Sequence, residues 1–228
     1  MIEVIPAILA KNFEELREKL AKIVGVTHLV QVDICDGKFV PSISWPMQAY
    51  DANSIESILA EEDGLPYWDS LDFEFDLMVR DAHKQFEFFT RLGAKRVVFH
   101  IEAEDEKDFK EFLEALDMYT RDNIQIGLAL NTVTDIEKLS PFINLVDFVQ
   151  CMGIEKIGFQ GEPFDKKVLE QIKNLRLKYP ELIISVDGSV NEETAKVLVS
   201  SGANRLVVGS ALMDSYDVRE TIKEFENL

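Results

Sequence analysis

Three aspartates are the strongest candidates for chemistry in this chain. Asp33 and Asp76 each lie near the end of an apolar run, and Asp187 directly follows another such run. Runs rich in Val, Ile and Leu are typical of buried strands. Carboxylates that converge at the ends of buried strands raise one another's pKa. A cation, a shared proton or a buried cationic partner must then offset their repulsion. As a set, the three aspartates therefore indicate a functional site.

One of these aspartates, Asp33, has informative neighbours in the sequence. Side chains alternate along a strand, so Gln31, Asp33 and Cys35 share one face, which we expect to point into the protein. His100 is the one histidine at the end of an apolar run. Its default interpretation is a core residue with one satisfied ring nitrogen.

Other polar residues nearby have simpler interpretations. Asp36-Gly37 is typical of a turn, and the simple interpretation of Asp76 or Glu102, each taken alone, is a strand-end residue that pairs with a loop amide. His83 falls on a predicted helix, where we expect an exposed or capping side chain. No CxxC or HExxH pattern is present, so a zinc site of familiar sequence type is not indicated.

Glycines late in the chain form a second signal. They follow the last three apolar runs and include Gly158, Gly161, Gly188 and Gly209, with Ser189 and Ser210 beside the last two. Glycine lets backbone N–H groups approach an oxyanion, and loops after the last strands of α/β barrels commonly bind phosphate. We expect these loops to hold a phosphate group without an arginine cluster.

Eight strand-like runs alternate with helical patterns from end to end. The predicted strands are 3–9, 29–34, 73–79, 96–101, 124–131, 148–154, 182–186 and 205–208. Eight such units in 228 residues predict a single-domain (β/α)8 TIM barrel over residues 1–228. An open doubly wound sheet is disfavoured because no GxGxxG follows the first run. In a barrel, the functional residues lie at the carboxyl ends of the strands.

The connections between the strands differ in length and pattern. Asn12 is a predicted N-cap for the first helix, and Pro141 should shorten the helix after the fifth strand. The long segment 39–71 contains one short helical pattern, around residues 55–59. A connection of that length in a compact barrel usually covers something, so we expect it to contribute a lid.

Composition excludes several classes of function. Lys and Arg number 24 against 42 Asp and Glu, a formal net charge of −18, which disfavours nucleic-acid binding. Neither a signal peptide nor an apolar run long enough to span a membrane is recognisable. Two cysteines, Cys35 and Cys151, cannot form a disulfide framework. We therefore expect a cytoplasmic protein with no membrane partner.

The chain resembles the ribulose-phosphate 3-epimerases, a family of (β/α)8 barrels, almost from end to end. Residues 6–10 resemble the family's PSILSA and residues 32–41 its VDVMDGHFVP. Further matches are 76–79 with HLMI, 100–103 with HVEA, 130–134 with LNPAT, 158–164 with GFGGQSF, 186–190 with VDGGV, and 209–211 with the last phosphate loop.

The resemblance implies a carbohydrate-phosphate isomerase of pentose phosphate metabolism. Such an epimerase inverts C3 of a ketopentose 5-phosphate, with Asp33 and Asp187 as the acid/base pair. It also implies a divalent metal, bound by these aspartates and two histidines, that polarises the carbonyl. Ala7, Cys35, Met152 and His100 are expected in the pocket. Family members often form dimers or larger rings, although no interface is readable here.

Departures from the family are concentrated at the metal site. Gln31 and Asp76 occupy the two histidine positions, Ala7 replaces a serine, Cys35 replaces a methionine and Gln160 replaces a glycine. A set of Gln31, Asp33, Asp76 and Asp187 would offer only oxygen ligands, which favour Mg²⁺ or Mn²⁺ over Zn²⁺.

Two alternatives to an epimerase stay open. One is a phosphosugar-binding relative that has lost its metal and its catalysis. The other is a different phosphosugar lyase or isomerase on the same barrel, such as a hexulose-phosphate synthase. Enzymes of that last type carry a lysine where this chain has Cys35, which argues against it.

Overall fold

Eight parallel strands close into one barrel in chain order, which confirms the predicted fold class. The computed structural model describes residues 2–48 and 51–228; Met1, Ala49 and Tyr50, the last two within segment 39–71, lie outside the described residues. The strands are β1 (Glu3–Ile8), β2 (Leu29–Cys35), β3 (Asp72–Met78), β4 (Ala94–His100), β5 (Gln125–Leu130), β6 (Phe148–Met152), β7 (Ile183–Asp187) and β8 (Arg205–Val208).

Helices surround the barrel on its outside. Within the described ranges they are α1 (Phe13–Ala21), α2 (Ala52–Leu59), α3 (Phe86–Arg91), α4 (Glu106–Ala115), α5 (Met118–Asn123), α6 (Lys167–Lys178), α7 (Glu192–Ser201), α8 (Ser210–Met213) and α9 (Val218–Glu226). Short 3₁₀ helices occur at Ala82–Gln85, Ile101–Ala103 and Ile136–Leu139. In the described part of the chain, no helix combines the length and the apolarity needed to cross a membrane.

Strand β2 shows how the sequence pattern positions the site. Val30, Val32 and Ile34 are fully buried in the apolar layer between the barrel and its helices. The intervening residues Gln31 and Asp33 point into the barrel, where Gln31 bonds to Asp33 and to the end of β7. The predicted inward face of this strand is therefore confirmed.

Local signals fix several element ends as expected. The Asn12 side chain accepts a hydrogen bond of 2.8 Å from the Glu15 N–H group, which caps α1. Gly202 ends α7 with a φ of +117°, a conformation that favours glycine. After β5, the chain forms only the 3₁₀ turn Ile136–Leu139 before Pro141, so the predicted weak helix is short.

Segment 39–71 divides into two parts. Its beginning stays at the carboxyl end of β2, where the Ser42 hydroxyl donates a 2.6 Å hydrogen bond to the Gly158 carbonyl. Helix α2 and the turns after it pack on the outside of the barrel, with Ile58 and Leu65 in the large apolar core. Only the first part lies near the barrel mouth.

An ionic cluster occupies the opposite end of the barrel. Arg96 and Arg205 both contact Glu3, at 3.0 and 2.5 Å, and Arg96 lies 3.7 Å from the fully buried Glu74. Burial raises the pKa of Glu74 to about 7, against the opposing effect of Arg96 and Arg205. Glu74 is therefore a buried acid whose ionisation opposes folding.

The raised pKa of Glu74 predicts a pH-dependent stability. A folded-state pKa above the unfolded value of 4.5 stabilises the fold at low pH, and this contribution is lost as pH rises toward and through about 7. A Glu74→Gln variant has no such titration. Its free energy of unfolding relative to the wild type should therefore improve by a few kcal/mol between pH 4.5 and 8.

Urea unfolding across this pH range measures the difference. Glu18→Gln, at an exposed position of α1, is the matched control and should show no such trend. A Glu74→Gln curve parallel to that of the wild type at every pH would contradict the assignment.

Candidate functional site

Three carboxylates meet at the carboxyl end of the barrel. Asp33 on β2, Asp76 on β3 and Asp187 at the end of β7 each place one ligand oxygen within 4.8 Å of the others. Asp33 and Asp76 are direct neighbours in the register of β2 and β3. Because parallel strands end together at one rim of a barrel, residues far apart in sequence converge there.

Gln31 links two of these carboxylates. Its side-chain Nε2 donates to Asp33 Oδ1 at 2.9 Å and to Asp187 Oδ2 at 2.8 Å. The residue is fully buried, and its Oε1 atom has no hydrogen-bond partner among the described residues. In this arrangement, Gln31 serves as a neutral donor that bridges the two aspartates, and the amide must turn before Oε1 can face them.

Asp76 is held from the other side by His100. The His100 Nε2 atom lies 2.9 Å from Asp76 Oδ1, and both side chains are fully buried. Asp76 Oδ2 is buried without a hydrogen-bond partner in the described part of the chain. The interpretation of His100 as a core residue with one satisfied nitrogen is therefore confirmed.

Crowding of like charges perturbs the acidity of the site. Burial in the barrel, reinforced by the Asp76 charge, raises the pKa of Asp33 to about 7. Burial followed by the charges of Asp33 and Asp76 raises the pKa of Asp187 well above its ordinary value. Burial opposes a charged His100, but the Asp76 carboxylate outweighs it and raises the pKa of the imidazole. Asp33 and Asp187 thus retain a proton at pH values where isolated aspartates are ionised.

The donor set fits a divalent cation. Asp33, Asp76 and Asp187 supply three carboxylates within 4.8 Å of one another. Asp76 Oδ2 and Gln31 Oε1 are buried oxygens without hydrogen-bond partners among the described residues. An all-oxygen set of this kind suits the hard cations Mg²⁺ and Mn²⁺.

A cavity of about 420 Å³ opens above the carboxylates. Asp33 and Asp187 line it together with Ala7 and Met152. The structure also brings the late-loop residues to its wall: Gly158, Gly161, Gly188, Ser189, Gly209 and Ser210. Two expected pocket residues lie elsewhere, because Cys35 and His100 are fully buried and do not line this cavity.

Glycine backbone forms one side of this cavity. Gly161 and Gly188 have φ values of +78° and +103°, which glycine adopts readily. A Cβ atom built on Gly209 would meet Gln160 Nε2 at 3.8 Å as its nearest neighbour. The space beside Gly209 is therefore open toward the cavity, as an approaching ligand would require.

Among the described residues, the cavity wall has acidic side chains and no basic ones. Its ionisable side chains are Asp33, Glu162, Asp187 and Asp214, and none of the described lining residues is Lys, Arg or His. An anionic ligand must therefore be held by neutral donors such as backbone N–H groups, or by a cation bound at the aspartates.

Comparison with known proteins points to one family. The Ribulose-phosphate 3 epimerase family model matches residues 3–213. The chain is 28% identical to a ribulose-phosphate 3-epimerase of Bacillus subtilis, over 98% of this chain and 98% of that protein. It is 30% identical to one from Chlamydia muridarum, over 93% of this chain and 85% of that protein.

The chain belongs to the ribulose-phosphate 3-epimerase family. Solved structures with the same fold include a 3-keto-L-gulonate-6-phosphate decarboxylase of Vibrio cholerae, with a TM-score of 0.70, 10% identity, and coverage of 100% of this chain and 97% of that one. A 3-hexulose-6-phosphate synthase of Salmonella typhimurium has a TM-score of 0.67 and 14% identity, with coverage of 99% and 97%. At these identities, the likeness concerns the fold alone.

Sequence reasoning missed two residues that contribute to the site, Ser44 and Met78. Ser44 accepts a 2.8 Å hydrogen bond from the Cys35 N–H group and donates one of 2.8 Å to the Asp33 carbonyl, which fixes the end of β2. Nothing in the pattern of segment 39–71 marks this residue. Met78 lines the cavity and shares a strand face with Asp76. The alternation of side chains along a strand is the sequence signal that could have identified it.

Three simpler interpretations have clear outcomes. Glu102 accepts a 2.8 Å hydrogen bond from the Asn131 amide, and Asp36 accepts bonds of 2.8 Å from two successive loop amides, as expected of structural carboxylates. The expectation of an exposed or capping His83 was wrong. Its side chain is only 8% exposed because the ring pairs with Glu104, from the loop after β4.

The carboxylate cluster predicts that this family member is stabilised by a divalent cation. At 100 times the dissociation constant, Mn²⁺ should add about 2.7 kcal/mol of stability, or roughly 5–10 °C in Tm. Asp187→Asn should abolish most of this shift. Asp214→Asn, which changes a cavity carboxylate outside the cluster, should preserve it. Thermal scans in EDTA, Mg²⁺, Mn²⁺ and Zn²⁺ give the measurement, and equal shifts in both variants would contradict the site.

Proposed function

We propose that this protein interconverts ketopentose 5-phosphates by inverting C3, as its family name describes. The observation that carries the proposal is the position of Asp33 and Asp187, which meet at one end of a cavity whose wall is formed by glycine-rich loops. One carboxylate removes the C3 proton, α to the C2 carbonyl, and the other returns a proton to the opposite face.

The perturbed acidity of the pair supports this chemistry. Epimerisation needs one ionised carboxylate as base and one protonated carboxyl group as acid at the same pH. Burial raises the pKa of both Asp33 and Asp187, and Asp33 reaches about 7. Without a bound metal, Gln31 donates to both side chains and so links the two acid/base groups.

The carboxylate cluster is the proposed metal centre. Asp33, Asp76 and Asp187 would hold the cation, with Gln31 as a fourth ligand once its amide turns. Mg²⁺ or Mn²⁺ suits these oxygen donors better than Zn²⁺. Bound there, the metal would polarise the C2 carbonyl and stabilise the enediolate charge.

The phosphate group would bind at the glycine-rich part of the same cavity wall. Gly158, Gly161, Gly188-Ser189 and Gly209-Ser210 supply backbone N–H groups without a cationic side chain. The first part of segment 39–71 would help to close the site, because Ser42 already contacts the Gly158 carbonyl.

A binding protein without catalysis is the second candidate. The donation of Gln31 Nε2 to both aspartates favours it, since this arrangement satisfies the pair without a metal. A lyase that uses a lysine on β2 is disfavoured, because the equivalent position is the fully buried Cys35.

Proton exchange at C3 is the experiment that separates these candidates. In D₂O with Mn²⁺, the protein should exchange the C3 proton of D-ribulose 5-phosphate and form xylulose 5-phosphate, as followed by NMR. Asp33→Asn and Asp187→Asn should each lower the rate by about 10²–10⁴-fold, because each removes one acid/base group.

Asp214→Asn changes a carboxylate in the same cavity and serves as the control. It should retain most of the turnover. Phosphosugar binding without exchange at any metal would support the binding protein, and full exchange in both aspartate variants would refute the acid/base assignment.

The proposed phosphate site has its own test at Gly209. A methyl group there would meet no atom outside the adjoining residues closer than Gln160 Nε2 at 3.8 Å, but it would occupy the space assigned to the phosphate. Gly209→Ala should weaken inhibition by inorganic phosphate roughly tenfold or more, since small displacements of a bound group are costly. Inhibition equal to that of the wild type, in a variant with unchanged Tm, would place the phosphate elsewhere.

A further inference from the structure

We infer that His100 is a positioning residue for the proposed metal centre. It holds the Asp76 carboxylate so that one of its two oxygens stays free for a cation. The inference rests on the metal site of the proposed function. Asp76, the residue that His100 would position, occupies one of the two places where the family resemblance implies a histidine ligand.

The geometry of strands β3 and β4 brings the two residues together. Asp76 lies opposite Val98 in the register, and His100 follows two residues later on the same inward face. His100 Nε2 then lies 2.9 Å from Asp76 Oδ1, with both side chains fully buried. The contact is therefore shielded from water.

The two oxygens of Asp76 have different environments. Oδ1 is bonded to His100, whereas Oδ2 is buried without a hydrogen-bond partner among the described residues. An oxygen of the same carboxylate lies within 4.8 Å of ligand oxygens from Asp33 and Asp187. Because one oxygen is already engaged, the other is the one available to a cation.

A carboxylate ligand needs such a partner to hold it in place. An aspartate side chain turns about its last bond, so a hydrogen bond to one carboxylate oxygen is needed to fix the orientation of the other. Partners of this kind are typically worth 10–100-fold in metal affinity. His100 supplies this bond to Asp76.

The orientation of His100 is itself fixed by packing. Its ring lies against Phe39, with centroids 5.6 Å apart and planes inclined by 51°. Phe39 belongs to the beginning of segment 39–71. The proposed closing segment therefore contacts the residue that orients a proposed ligand.

The chain contains a matched control for this pair. His83 also bonds to a buried carboxylate, Glu104, with side-chain exposures of 8% and 1%. Glu104 is not a member of the carboxylate cluster. Disrupting this second pair therefore has a similar structural effect without touching the proposed metal ligands.

Mn²⁺ affinity, measured from the EPR signal of the free ion, tests the inference without reference to activity. His100→Phe keeps a ring but removes the donor, and it should weaken Mn²⁺ binding about 10–100-fold. His100→Gln restores a donor at the equivalent reach and should bind within about threefold of the wild type. His83→Phe should bind Mn²⁺ within about twofold of the wild type, because its partner is outside the cluster.

The outcomes distinguish this inference from the proposed function. If His100→Phe binds Mn²⁺ like the wild type, or if His83→Phe loses the same affinity, the positioning role is wrong and the metal site stands. If the wild type binds no Mn²⁺, or if Asp76→Asn binds it equally well, the proposed metal site falls and the positioning role falls with it. Circular dichroism of each variant confirms that the barrel is folded.

Discussion

Repulsion among three carboxylates in one buried space is the constraint on which the rest of the site depends. Asp33, Asp76 and Asp187 come together because closing a parallel barrel places strand ends side by side. Other residues must therefore offset the repulsion between these three carboxylates. The Gln31 amide lies between two of them and the His100 ring beside the third.

The two ends of the barrel compensate buried acids in different ways. At the amino end, Glu74 is accompanied by Arg96 and Arg205, so its charge has cationic partners. At the carboxyl end, no Lys, Arg or His is found among the described residues that line the cavity. A buried acid beside arginines is typical of a structural cluster, whereas acids that line a cavity with no basic side chain among its described lining residues form a site able to take up protons or a metal.

Sequence patterns predicted the barrel and the convergence of its aspartates, because both follow from local periodicity and from the common direction of the strands. They could not predict contacts that depend on the path of a loop. His83 was expected to be exposed, yet it pairs with Glu104 from the next β/α unit. Ser44 bonds to the backbone of β2 only because the chain after Asp36 turns back on the strand. The orientation of the Gln31 amide likewise depends on a distant residue, because its Nε2 donates to Asp187, 156 residues away in the sequence.

The negative lining of the cavity couples the two ligands that we propose for it. A phosphosugar would enter a space that already holds the carboxylates of Asp33 and Asp187, and no cationic side chain among the described lining residues offsets its charge. A divalent cation at the cluster removes that repulsion, so each ligand strengthens the binding of the other. Linkage makes the coupling reciprocal, and the same factor must raise metal affinity when the sugar phosphate is bound. If the proposed metal and phosphate sites are both correct, the donor set would therefore affect substrate affinity as well as the choice of metal.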